Sequence, residues 1–301
     1  MLSSRCLLFL LVLLFFTLKS KANDQLFFRY HECNTILGNI PDGSAYESNR
    51  NTVLEQIYSN KTINYGFYNF SYGEYPDKVN AIGICRGDIE PEDCRGCLKA
   101  STTLLLERCG IQKEAIGYYD SCILRYSNES IFGVMTTETS NYFNIEAKLV
   151  AVADDAFNKT RDNLLDELKS VAVEGDSRKK FAEKSVKVMN ESSIRSDVNE
   201  TIYGLVQCTP DLSKQECTEC LDSAFGDLSR WCMKGCLYLG PSCSFRYDII
   251  PFLQSIVNNT ESPAPQPSKV IAPALPPKPR KGIHFPLILL FKYLVSKICL
   301  F

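Results

Sequence analysis

Apolar residues fall at helical spacing in two corresponding places along the chain. Between Glu47 and Ser59, Val53, Leu54 and Ile57 share one side of a helix. Between Asp162 and Val173, Leu164, Leu165, Leu168 and Val171 do the same. A second helix is predicted in each half: Pro91-Glu92-Asp93 puts a proline and two acids in a first turn, and Ser213 is suited to cap the counterpart. Stretches rich in aromatic and β-branched residues predict strands within Asn64–Cys85, Ala115–Ser127, Asn199–Cys208 and Cys236–Phe252. This pattern predicts an α+β fold of two tandem domains, each an antiparallel β-sheet packed with two helices.

The two ends read differently. Arg5 precedes the apolar run Cys6 to Leu18, and Ser20-Lys21-Ala22 has the small-x-small form of a cleavage site. Residues 1–22 are therefore expected to be a signal peptide, which directs the remainder out of the cell through the secretory pathway. Residues 255–281 form a Pro-rich linker, and residues 282–301 an apolar tail interrupted by Pro286, Lys292 and Lys297. The uninterrupted apolar stretch is well short of the roughly 20 residues of a membrane span. The basic trio Lys278, Arg280 and Lys281 lies on the side that would face outward. The preferred reading is a truncated, mostly soluble product; a membrane tether or a lipid-anchor signal is the alternative.

The cysteines reveal a duplication. Of 14 in the chain, Cys6 and Cys299 are peripheral, and six lie in each half. Cys85, Cys94 and Cys97 repeat the C-x8-C-x2-C spacing of Cys208, Cys217 and Cys220. Cys109 and Cys232 each follow twelve residues later. Cys122-Ile-Leu-Arg125-Tyr126 matches Cys243-Ser-Phe-Arg246-Tyr247. Even numbers of cysteines in a secreted chain imply disulfide frameworks. Sequons at Asn60, Asn69, Asn128, Asn158, Asn190, Asn199 and Asn258 add an expectation of N-glycans.

Charge and residue chemistry narrow the function. Between residues 23 and 262, 24 Lys and Arg stand against 35 Asp and Glu. Such a surface repels nucleic acid and anionic lipid headgroups. With only His31 and His284, the chain lacks the ligands for zinc and the bases for paired catalytic sites, so no metal, cofactor or enzyme activity is expected. Asp88, Glu90, Glu92 and Asp93 read as acids solvating a loop and a helix start. Arg86-Gly87-Asp88 imitates an integrin ligand but lies within a small cysteine-bounded loop.

The C-x8-C-x2-C pair, the CRGD at Cys85, the YxxCxLRYSN from Tyr119 and the YGLVQCTPDLS from Tyr203 resemble the plant cysteine-rich repeat family. That family is built on the ginkbilobin-homologous, or stress-antifungal, domain and includes secretory proteins, plasmodesmata-located proteins and receptor-like kinase ectodomains. The resemblance implies domains over residues 23–135 and 145–254. It also implies the bridges Cys33–Cys109, Cys85–Cys94 and Cys97–Cys122, then Cys208–Cys217 and Cys220–Cys243. The second domain has no counterpart of Cys33, which leaves Cys232 to pair with the nearby extra Cys236, in a distorted helical turn. A mannose-binding member suggests Asn34 as a carbohydrate-binding residue. Ile116 and Ser127, however, stand where its arginine and glutamate would be, and Leu237 and Asp248 in the second domain. The resulting expectation is a non-enzymatic binding module of stress and defence signalling. Its partners would be other extracellular protein domains or cell-wall carbohydrate; an antifungal mannose-type lectin is the alternative.

Overall fold

The computed structural model describes residues 28–145, 155–188 and 200–254. The expected signal peptide, Pro-rich linker and apolar tail lie outside them, as do Asn190, Asn199 and Asn258. Among the described residues no helix is long and apolar enough to cross a membrane. All of them fall within one compact unit.

The first half runs β1 (Phe28–Asn39), α1 (Ala45–Ser59), β2 (Phe67–Tyr72), β3 (Val79–Cys85), α2 (Pro91–Cys109), β4 (Gln112–Tyr119) and β5 (Cys122–Ser127). The second runs β6 (Asn141–Asn144), α3 (Asp155–Val173), β7 (Lys180–Lys187), β8 (Thr201–Cys208), α4 (Lys214–Gly226), the single turn α5 (Leu228–Trp231), β9 (Cys236–Leu239) and β10 (Cys243–Asp248). Each half forms a five-stranded antiparallel sheet, in the orders β1-β4-β5-β3-β2 and β6-β9-β10-β8-β7. The orders correspond strand for strand, so the sequence duplication is also a duplication of topology.

Local signals place the helix starts. The Ser44 hydroxyl accepts from Glu47 N at 3.2 Å to cap α1. Ser213 and Glu216 form a reciprocal capping box on α4, and Pro91 opens α2. Ala115–Ser127 and Cys236–Phe252, read as one strand each, are hairpins. The edge strands β1, β6 and β7 carry little strand signal in the sequence: half of β7 (KFAEKSVK) is charged side chains, and β6 is only four residues long.

The helices cover one face of each sheet. In the first half Val79, Ala81, Leu124 and Tyr126 meet Val53, Leu54, Ile57, Leu98 and Leu105. In the second, Val206, Phe245 and Tyr247 meet Phe157, Leu164, Leu165, Leu168 and Leu221. The alternate positions point the other way, and they are apolar as well. Phe67, Ile82, Ile84, Ile116, Tyr118 and Ile123 of the first sheet join Leu237 and Leu239 of the second in one cluster, with Ile131 of the connecting segment. A strand buried on both faces loses the alternation of a half-buried one, and all seven residues of β3 are buried.

A polar clasp closes one side of this seam. The Gln207 side chain donates to Cys85 O at 2.8 Å and accepts from Gly87 N at 2.9 Å. Lys179 Nζ donates to Gly87 O at 2.6 Å. A Cβ on Gly87 would lie 2.3 Å from the Phe181 ring, so only glycine fits. Asp88 was expected to solvate a loop. Its side chain is 3% exposed, pairs with Arg86 at 2.6 Å and accepts from Gln254 N at 3.1 Å. The Arg-Gly-Asp triplet is thus an interdomain contact.

Among the described residues six disulfides join Cys33–Cys109, Cys85–Cys94, Cys97–Cys122, Cys208–Cys217, Cys220–Cys243 and Cys232–Cys236. The last does not span a distorted helical turn. α5 ends at Trp231, and Cys232 is extended. The register explains the change of partner. Cys33 on β1 lies opposite Ala115 on β4, and Asn144 on β6 lies opposite Cys236 on β9. Cys236 is therefore the counterpart of Ala115, one strand inward from the position equivalent to Cys33. The staple has moved to the adjacent strand, which lies about 5 Å away in an antiparallel pair.

Buried phenols give the fold a defined alkaline limit. Burial pushes Tyr119, Tyr126 and Tyr142 up to about 12, and it also raises Tyr46 and Tyr118. Unfolded tyrosines release their protons near pH 10, about the ordinary value. Stability from these groups is therefore complete below about pH 10 and falls as pH rises toward 12. Tyrosinate absorbance and far-ultraviolet circular dichroism, followed together, should show a late fraction of tyrosines ionising only with unfolding. Smooth titration of every tyrosine near pH 10 with the fold intact would contradict this.

Candidate functional site

The face of the first sheet that meets the second domain is not apolar throughout. Toward the β1 edge it carries Asn34, Glu114 and Arg125 on three adjacent strands. Asn34 lies directly opposite Glu114 in the β1–β4 register, and Arg125 lies opposite Ile116 in the β4–β5 register. Asn34 Nδ2 donates to Glu114 Oε2 at 3.1 Å. Arg125 donates to Glu114 Oε1 from Nε at 3.2 Å and from Nη2 at 2.6 Å. Asn34 Oδ1 accepts from Ile36 N at 2.9 Å. The amide, carboxylate and guanidinium thus hold one another in place.

These three side chains line a cleft of about 280 Å³ with Glu32, Ile36 and Ile116. Thr136, Glu138 and Thr139 of the connecting segment and Pro241 of the β9–β10 turn supply the opposite wall. The cleft is therefore completed by the connecting segment and by one residue of the second domain. The connecting segment is held by Thr139 Oγ1, 2.9 Å from the Tyr118 hydroxyl, and by Thr136 N donating to Ser242 Oγ at 2.9 Å. At the rim, β1 leaves its register with β4 between Asn34 and Asn39, and Gly38 takes φ +82°. This bulge lifts Ile36 to 91% exposure. The Tyr30 hydroxyl donates to Glu32, which raises the phenol pKa by hydrogen bonding to the carboxylate.

Asn34 is the carbohydrate-binding residue suggested by the sequence, and the cleft contains it. The other two lectin positions are unavailable. Ile116 is 5% exposed in the inter-sheet cluster, and Ser127 is fully buried. Glu114 and Arg125 were not recognised as site residues. They lie two residues from Ile116 and Ser127 on the same strands, and side chains two apart share a face. That period is the signal that could have found them. The second domain has no equivalent trio. The register puts Ile145 and Gly235 at the counterparts of Asn34 and Glu114, and Arg246 pairs with Asp248 at 3.0 Å.

Among the described residues one group has the spacing of a metal site, His31 with Cys33 and Cys109, but the two sulfurs are bonded to each other and cannot act as thiolate ligands. Burial lowers the His31 pKa, assisted by the nearby Arg108. Among the described sequons, Asn69 is exposed on the edge strand β2, and Asn60, Asn128 and Asn158 are half-buried.

The family model for salt stress response/antifungal proteins matches residues 32–129 and again 146–249. The chain belongs to this family. It is 37% identical over 232 residues to cysteine-rich repeat secretory protein 38 of Arabidopsis thaliana, covering 76% of this chain and 86% of that protein. It is 32% identical over 266 residues to the putative cysteine-rich receptor-like protein kinase 20 of the same plant. That match covers 88% of this chain but 38% of the kinase. A solved structure, the tandem DUF26 ectodomain of the Arabidopsis cysteine-rich receptor-like protein PDLP8, superposes with a TM-score of 0.57 at 22% identity. The superposition covers 74% of this chain and 98% of that one. The fold is thus the tandem antiparallel α+β architecture of these plant extracellular and receptor-like proteins.

Proposed function

We propose that this chain is a secreted, non-enzymatic binding module of plant stress and defence signalling that engages another extracellular protein domain at the seam cleft. The observation that carries this reading is the trio Asn34, Glu114 and Arg125, mutually bonded at the edge of a cleft built by both domains. Polar groups fixed in advance favour recognition, because little is lost in ordering them when a ligand arrives. A general base needs a proton acceptor free to serve the substrate. Glu114 has both oxygens engaged, and every cysteine among the described residues is in a disulfide. These features favour holding a ligand over transforming one.

A second reading, an antifungal mannose-type lectin, is favoured by the chemistry of the same trio, which pairs an amide with a guanidinium and a carboxylate. Against it, Glu114 and Arg125 are displaced two residues from the positions the resemblance assigns. The purified glycoprotein should be retained by at least one immobilised receptor-like kinase ectodomain, and Arg125→Ala should weaken that binding about tenfold, because Glu114 and through it Asn34 lose the guanidinium that holds them in place. No retention on mannan is expected. Retention on mannan that Arg125→Ala abolishes, with no ectodomain bound, would replace the first reading by the second.

A further inference from the structure

The binding-module reading leaves open what the cleft recognises, and its lining narrows the chemistry. We propose that the seam cleft accepts a lysine or arginine side chain of the partner protein, with an apolar neighbour resting on Ile36; this rests on the reading above.

The cavity, about 280 Å³, has room for one long side chain. Its polar lining holds Glu32, Glu114 and Glu138 against Arg125 alone. Glu114 already neutralises Arg125. Glu32 shares only the Tyr30 hydroxyl, and the exposed Glu138 carboxylate has no partner among the described residues. Two carboxylates thus remain uncompensated on opposite walls, one from β1 and one from the connecting segment. A long aliphatic stem bearing a cation fits this arrangement: methylenes pack along Ile116 and Pro241 while the charged end reaches the carboxylates. The bulge that lifts Ile36 into solvent supplies an apolar contact beside the cleft, and an exposed aliphatic tip suits a peptide better than a hydroxyl-rich ring. The excess of acids between residues 23 and 262 adds long-range attraction for a basic partner and repels an anionic one.

The test uses the secreted full chain and synthetic peptides of about nine residues, each presenting Lys or Arg between leucines in a Gly/Ser frame; norleucine replaces the cation in the control. Interferometry should show binding of the Lys and Arg peptides that weakens with salt, and at least about tenfold weaker binding of the norleucine peptide. Glu32→Gln with Glu138→Gln should reduce cationic-peptide binding about tenfold and flatten the salt dependence, and Ile36→Ser should weaken all three peptides alike. Neither change touches the core, and unchanged thermal unfolding would verify this. Equal binding of norleucine and lysine peptides, an unaltered double variant, or displacement only by oligosaccharide would overturn the inference. An ectodomain that binds through Arg125 while no cationic peptide does would overturn this inference and leave the binding-module reading standing.

Discussion

Installing the charged pair of the mannose-binding relative, Ile116→Arg with Ser127→Glu, is expected to destabilise the protein by about 3–5 kcal/mol without conferring retention on mannose. Ile116 belongs to the cluster shared by the two sheets, and Ser127 is fully buried with its hydroxyl accepting from Glu129 N at 3.0 Å. The change removes isoleucine burial worth about 2 kcal/mol. It also takes two charges out of water, and their attraction returns only part of a desolvation penalty of several kcal/mol. Leu237 and Leu239 of the second domain pack on this face of the sheet around Ile116, which leaves no room there for a sugar. Thermal unfolding measures the loss, and a mannose column measures the binding. An unaltered melting temperature with newly acquired retention would contradict the packing of Ile116.

The disulfides should differ sharply in what they contribute. Cys33–Cys109 closes a sequence separation of 76 residues, and Cys232–Cys236 one of 4. Constraint of the unfolded chain assigns the first about 4.5 kcal/mol and the second about 2 kcal/mol. Cys33→Ser also releases the edge strand β1, which carries Glu32, Asn34 and Ile36 of the cleft. It should impair secretion and abolish cleft binding. Cys232→Ser with Cys236→Ser should still give a folded, secreted protein, because β9 remains held between β6 and β10. Secretion yields and denaturant midpoints of the two variants decide the matter. A larger loss for the double variant would show that loop length does not govern these bridges.

Much of the fold was legible because its signals are local. Helical spacing at Val53, Leu54 and Ile57, the proline of Pro91 and the cap of Ser213 each act within a few residues. The C-x8-C-x2-C repeat marked the duplication. The edge strands were harder, since β7 alternates with lysines and β1 changes register at its bulge. The inter-sheet layer is a long-range feature: Ile82 and Ile84 look like any buried strand residues until Leu237 and Leu239 are seen against them. The cleft was half visible for the same reason. Asn34 could be placed by resemblance, but Glu114 and Arg125 gain significance only once the connecting segment and Pro241 enclose them.

Whether the two sheets share one apolar layer, and so build the cleft between them, can be read directly from methyl groups. Nuclear Overhauser contacts in a methyl-labelled sample should link Ile82, Ile84, Ile116 or Ile123 of the first domain to Leu237 and Leu239 of the second. Finding strong contacts within each domain but none across the seam would contradict the account.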